Sequence, residues 1–183
     1  MTGHNLRESL THSVKELYSA EQQQLRVLTS FLHAASTPTL RQALRLHLGE
    51  TRQQASRLER IFSLLDEPIR WARCPGVHGI LEECQGALED HESGSVRDAA
   101  LVATAQRLDY YEMAAYGSAA GWAEALDLPE VAALLQASLD EEVAAADQLL
   151  AAAIGGIQDA AAQTTRQTDS GHVPAQPGRL GVD

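Results

Sequence analysis

Leu17-Tyr18-Ser19-Ala20-Glu21 returns 91 residues later (112 − 21) as Leu108-Asp109-Tyr110-Tyr111-Glu112, and at the same offset Glu50 meets Glu141. The shift also lays Ala34 on Ala125, Pro38 on Pro129, Leu44 on Leu135, Leu48 on Leu139 and Leu58 on Leu149. A self-match of this kind reads as a duplicated helical hairpin. Two such hairpins, each with an inward carboxylate on both of its helices, would gather four acidic groups in one core.

Around these anchors the apolar residues recur at three- and four-residue spacing, the period of a helix with one buried face. Over about 6–35 they are Val14, Leu17, Leu28 and Phe31, with Glu21 filling the gap. Ser36-Thr37-Pro38 then supplies a capping hydroxyl and a first-turn proline, and the pattern resumes through Leu44, Leu48, Leu58, Phe62 and Leu65. Residues 68–95 hold Pro68, Pro75, Gly76, Gly79 and Gly86 around Val77, Ile80, Leu81 and Leu88, which predicts a connection with one short helix, long enough to act as a crossover. A third helix follows from about 96, along Leu101, Ala105, Leu108, Ala115, Ala119 and Trp122, with Glu112 in mid-seam. Pro129 repeats the start signal of Pro38. A fourth helix then runs through Leu135, Leu139, Val143, Ala146 and Leu149 to a stop at Gly155-Gly156.

The expected fold is therefore all-α: one domain over 1–157, with hairpins at about 6–67 and 96–157 joined by the connection 68–95. Beyond about Gln158 the chain is rich in Thr, Gln, Gly and Pro, which predicts a disordered tail over 158–183. A hydrophobic fraction of 44% can build a core at this length, and only 4% of residues are aromatic. The net charge of −11 repels phosphate backbones, argues against nucleic-acid binding and favours cations as partners. Neither a leader-like start nor a membrane-length apolar run is present, so a cytoplasmic protein without membrane association is expected. Cys74 and Cys84 lack metal-ligand spacing and are expected as free thiols.

A glutamate in an apolar seam must be protonated, ion-paired or metal-bound, because an unpaired buried ion costs several kcal/mol. The repeat proposes Glu21, Glu50, Glu112 and Glu141 together, whereas the seam of the fourth helix points Glu142 inward, so both Glu141 and Glu142 are kept as candidates. Carboxylate oxygens suit iron or manganese, and a dinuclear site between facing helices would share their charge. The usual Glu-x-x-His partners are missing, since Gln53 follows Glu50 and Ala144 follows Glu141 at that spacing. His47 and Gln54 lie one turn either side of Glu50, where each could reach a metal or orient a carboxylate, although a single histidine reads first as a packed side chain. Tyr18 and Asp109, matched by the repeat one turn before Glu21 and Glu112, are expected to hydrogen-bond around the site.

The runs ELYSAEQQ (16–23), HLGET (47–51), YEMAAYG (111–117) and LDEE (139–142) resemble the YciF-like (DUF892) ferritin-like stress proteins, over about 6–157. The resemblance implies a ferritin-like four-helix bundle with an additional helix, commonly a homodimer. It also implies a dinuclear metal site on Glu21, Glu50, Glu112 and the Glu141/Glu142 pair. Gly49 and Tyr110 stand where many relatives carry an acidic residue and a histidine.

Two functions are compatible with these residues. One is a stress-response protein that binds iron or manganese at Glu21, Glu50, Gln54, Glu112, Glu141 and Glu142 and reacts with peroxide or oxygen; no catalytic residue is assigned. The other is a metal-free, non-enzymatic dimeric scaffold whose buried glutamates are protonated or paired with Arg41, Arg45 or Arg107. A docking role for the tail is a third, weaker possibility.

Overall fold

The computed structural model describes residues 5–171. Six helices follow one another: α1 (Leu6–Ala34), α2 (Pro38–Leu64), α3 (Pro75–Glu89), α4 (Ser95–Ala125), α5 (Pro129–Ala152) and α6 (Gln158–Gly171), with a kink at Gly155 and Gly156 between the last two. No strand occurs among the described residues. The starts follow the expected chemistry. Asn5 and Glu8 form a reciprocal capping box on α1, Thr37 caps α2 ahead of Pro38, and Pro129 opens α5.

The four long helices form a closed ring in which α1 packs on α2 and α4, while α5 packs on α2 and α4. Matched positions of the repeat lie in the core on both sides: Leu17 with Leu108, Leu44 with Leu135, Leu58 with Leu149. Buried Asp98, near the start of α4, accepts from the backbone N–H groups of Ser36 and Thr37 at 2.7 and 2.8 Å. This tie places the start of α4 beside the turn between α1 and α2. The second hairpin thus begins at the opposite end of the bundle from the first. The connection must carry the chain back along the outside, where Ala72 donates to the Lys15 carbonyl at 3.2 Å and α3 then packs on α1 and α4. Gly76 permits this close approach, because a Cβ there would lie 2.9 Å from the Tyr111 ring.

Of two expectations about the end of the chain, one holds and one changes. The glycine pair does end α5, with Gly156 at φ 123°, a conformation that side chains rarely adopt. Helix resumes at once, however, and α6 packs on α4. The disordered tail expected from 158 is therefore helical as far as Gly171. Composition misjudged it because Ala160, Ala161 and Ala162 are strong helix formers. Residues 172–183, the end of the tail considered for docking, lie outside the described residues.

Candidate metal centre

Two apolar clusters fill the ends of the bundle, and a polar layer separates them. One contains Leu28, Phe31, Leu40, Leu44, Leu101 and Leu149; the other contains Leu10, Val14, Leu58, Phe62, Ala119 and Val131. Between them, each helix turns polar side chains inward at the same spacing its leucines use. α1 supplies Glu21 and Gln24, α2 supplies His47, Thr51 and Gln54, α4 supplies Asp109 and Glu112, and α5 supplies Ser138 and Glu142. All are buried.

His47 Nε2 lies 3.3 Å from Gln24 Nε2, 3.7 Å from Asp109 Oδ1 and 3.8 Å from Glu142 Oε2. His47, Asp109 and Glu142 each turn a potential ligand atom to a common point, all within 4.8 Å of one another. The 3.7 and 3.8 Å separations from His47 to the two acids exceed a hydrogen bond but fit two ligand bonds of about 2.1 Å to a shared cation. Gln54 Nε2 donates to Glu142 Oε1 at 2.7 Å, and the Tyr116 hydroxyl donates to Glu21 Oε1 in a short hydrogen bond. Thr51 donates to the His47 carbonyl at 3.0 Å and stands 3.4 Å from Gln24 Oε1.

Burial dominates the electrostatics. It pushes Glu21, Asp109 and Glu112 well above the ordinary carboxylate range, with the neighbouring carboxylates adding to the shift, and raises Glu142 to about 8. The same desolvation lowers His47 to about 4. His47 is therefore neutral at pH 7: desolvation disfavours the imidazolium, and the two acids near 3.8 Å are themselves held towards their uncharged forms. If Gln24 donates to Nε2, the ring proton resides on Nδ1.

Whether this donor set suits a cation follows from what it leaves unpaired. Glu21 Oε2, both oxygens of Asp109, both of Glu112 and Glu142 Oε2 are buried without a hydrogen-bond partner. Buried oxygens are normally satisfied, and so many orphans on one layer are costly unless something positive sits among them. The residues fit a hard or borderline divalent metal, with one imidazole among carboxylates.

Four of the six residues predicted as ligands lie in the layer: Glu21, Gln54, Glu112 and Glu142. Glu50 stands half-buried at its rim, with Oε2 unpaired. Glu141 points elsewhere. Its carboxylate takes a bidentate pair from Arg57, at 2.6 and 2.5 Å, so Glu142 is the inward member of the pair. Val143, expected in the seam, is correspondingly exposed. The scaffold reading's partners do not meet the buried glutamates either, since Arg41 binds the Ala35 carbonyl and Arg107 binds Glu83 on the surface. Tyr18 leaves the site as well, donating to Glu59 at 3.0 Å and standing edge-on to Phe62. Spacing alone did not disclose Gln24 or Tyr116. One signal for Gln24 was available: it sits three residues after Glu21, the offset at which histidine serves in the usual bundles.

Among the described residues no helix is long and apolar enough to cross a membrane. Cys74 and Cys84 are both free and buried. A family model described as a domain of unknown function, DUF892, matches residues 5–162. The chain belongs to the DUF892 family. Protein YciF of Escherichia coli K12 is 36% identical over 153 residues, covering 83% of this chain and 92% of that protein. The crystal structure of the E. coli stress protein YciF matches with a TM-score of 0.80 at 34% identity, over 85% of this chain and 99% of that one. YcfI of Rhodopseudomonas palustris, for which a structural role is proposed, matches with a TM-score of 0.75 at 35% identity, covering 80% and 93%. This DUF892 chain is thus a helical protein of the YciF type with a buried His/Asp/Glu cluster at mid-bundle.

Proposed function

We propose that this DUF892 protein binds two iron or manganese ions in the mid-bundle layer and reacts there with peroxide or oxygen, as a cytoplasmic, homodimeric protein of the bacterial stress response. The observation that carries the reading is the set of unpartnered carboxylate oxygens on Glu21, Asp109, Glu112 and Glu142, facing a neutral His47. Glu21, Glu112, Glu142, Asp109 and His47 would hold the metals, with Glu50 at the rim. Such metals would supply electrons to the oxidant.

This chain's own residues do the rest. Tyr116 holds one oxygen of Glu21 and leaves the other free, Gln54 does the same for Glu142, and the apolar clusters exclude bulk water from either end. With only one histidine in the layer, the donor set is poorer in nitrogen than the usual bundle site, which fits slow chemistry.

The test is elemental analysis of protein purified without chelator and loaded with iron or manganese under aerobic and anaerobic conditions. Two metals per chain are expected; one would reduce the site to a single ion, and less would overturn the reading. Peroxide consumption with and without metal then separates a catalyst from a binder, and light scattering checks the dimer.

A metal-free scaffold is the second reading. It is favoured by burial itself, which holds Glu21, Asp109 and Glu112 towards their protonated, uncharged forms, and it agrees with the structural role proposed for the R. palustris relative.

A further inference from the structure

The polar layer is sealed above and below by apolar clusters and closed off beside α1 and α4 by Cys74, Val77 and Leu108. Of its acidic groups, Glu21, Asp109, Glu112 and Glu142 have no exposed surface, whereas Glu50 and Glu141 are partly exposed. Both stand where α2 faces α5. The layer therefore comes nearest to solvent between these two helices, and a guanidinium lies across that seam. Arg57 is one turn after Gln54, which holds Glu142, and it spans the gap to grip Glu141 with two nitrogens while approaching Ser138 Oγ at 3.4 Å. Its side chain and that of Glu141 are only 20% and 24% exposed.

We infer that the Arg57–Glu141 pair is a latch over the port of the carboxylate layer, and that it sets how fast a divalent cation reaches the buried ligands. The inference rests on the metal-binding reading above. Glu141 and Glu50 form the negative mouth of the port, and Arg57 is a built-in cation that occupies half of it. An incoming ion must compete with Arg57 for Glu141, because the guanidinium occupies both carboxylate oxygens and repels a second cation in a partly desolvated gap. The bidentate grip makes release slower than for a lysine, whose ammonium offers a single contact at a time. Arg57 reaches solvent by its own flexible stem, so opening needs no movement of the bundle.

The experiment follows Mn(II) uptake by the full chain after rapid mixing, using the loss of the free-ion paramagnetic resonance signal, with circular dichroism as a fold control. Arg57→Gln should accelerate uptake by roughly three- to tenfold while the number of ions bound stays that of the parent, the change expected when one part-buried ion pair no longer has to open. Arg57→Lys should fall between the two, and it carries the test alone if the glutamine variant fails to fold. Uptake at the parent rate in either folded variant, with normal amplitude, would overturn the latch and leave the metal-binding reading intact. No uptake amplitude in the parent would overturn both.

Discussion

The two hairpins share a backbone plan and load the core differently. At the offset of 91 residues, Gln24 faces Ala115, His47 faces Ser138, Thr51 faces Glu142, and Tyr18 faces Asp109. The first hairpin gives the layer Gln24, His47, Thr51 and Gln54, all neutral donors or acceptors, and one fully buried acid, Glu21. The second gives it Asp109, Glu112 and Glu142. Only Glu21 and Glu112 remain a matched pair of buried acids. The shared offset thus marks where inward positions fall, while the side chains at them differ, with most of the acids on one side and the imidazole and amides on the other. The rim shows the same split: Glu50 and Glu141 match, yet only Glu141 is neutralised, by Arg57, whose own counterpart is Gln148.

The matched pair is the place to break the comparison hardest. Glu21→Ala/Glu112→Ala should lower metal affinity by at least about a hundredfold, since each helix pair then loses a proposed ligand. Elemental analysis after equilibrium dialysis reads the result, and parent-like loading would show that the layer's other acids suffice. Next in size is Thr51→Glu, which gives the first hairpin the acid of the second. A fifth buried carboxylate in the layer should destabilise the metal-free protein by several kcal/mol in chemical denaturation and be offset when Mn(II) is added. An unchanged midpoint would mean that the layer already carries a compensating charge.

The pH response separates the two sides further. Glu142 is raised to about 8 in the fold, so the stability linked to its proton is complete below about 4.5 and is lost as pH rises through 8. His47 is lowered to about 4, so its contribution is complete above 6.5 and is lost as pH falls through 4. Between Glu142 and His47 the two slopes oppose each other up to about pH 6.5, so thermal melting of chelator-treated protein should show stability falling most clearly from about pH 6.5 to 8, with the raised Glu21, Asp109 and Glu112 adding to the fall, and Glu142→Gln should reduce that slope. A slope that survives the substitution would assign it to Glu21, Asp109 or Glu112. The smallest effect is expected at the rim. Glu141→Gln should cost about 1 kcal/mol through its part-buried pair with Arg57, whereas Glu50→Gln, with no hydrogen-bond partner to lose, should stay within about 0.5 kcal/mol. Equal losses at the two positions would contradict the asymmetry of the rim.

Much of this was legible in the chain, and for identifiable reasons. Proline starts, glycine stops and apolar spacing depend on neighbours within one or two turns, so the four long helices and the short one between them could be placed from the letters alone. The repeat added the inward direction of Glu21 and Glu112. His47 and Asp109 were visible as candidates for reaching or orienting the site, but their convergence with Glu142 joins three different helices, and no spacing within one helix encodes that. The choice between Glu141 and Glu142 was open for a related reason. Adjacent positions differ by about 100° around a helix, and which of them meets the core depends on how α5 rolls against α2, where Arg57 waits for Glu141.

The sequence by itself determined an all-helical chain, a duplicated hairpin and the acids that must be accounted for, because periodicity and local capping act over a few residues. The tertiary structure alone decided that the second hairpin enters from the opposite end, that α6 continues beyond the glycines, and that Tyr116, Gln24 and His47 close around the acids. Those outcomes depend on contacts between residues far apart in the chain, whose distances are set only once the helices have packed.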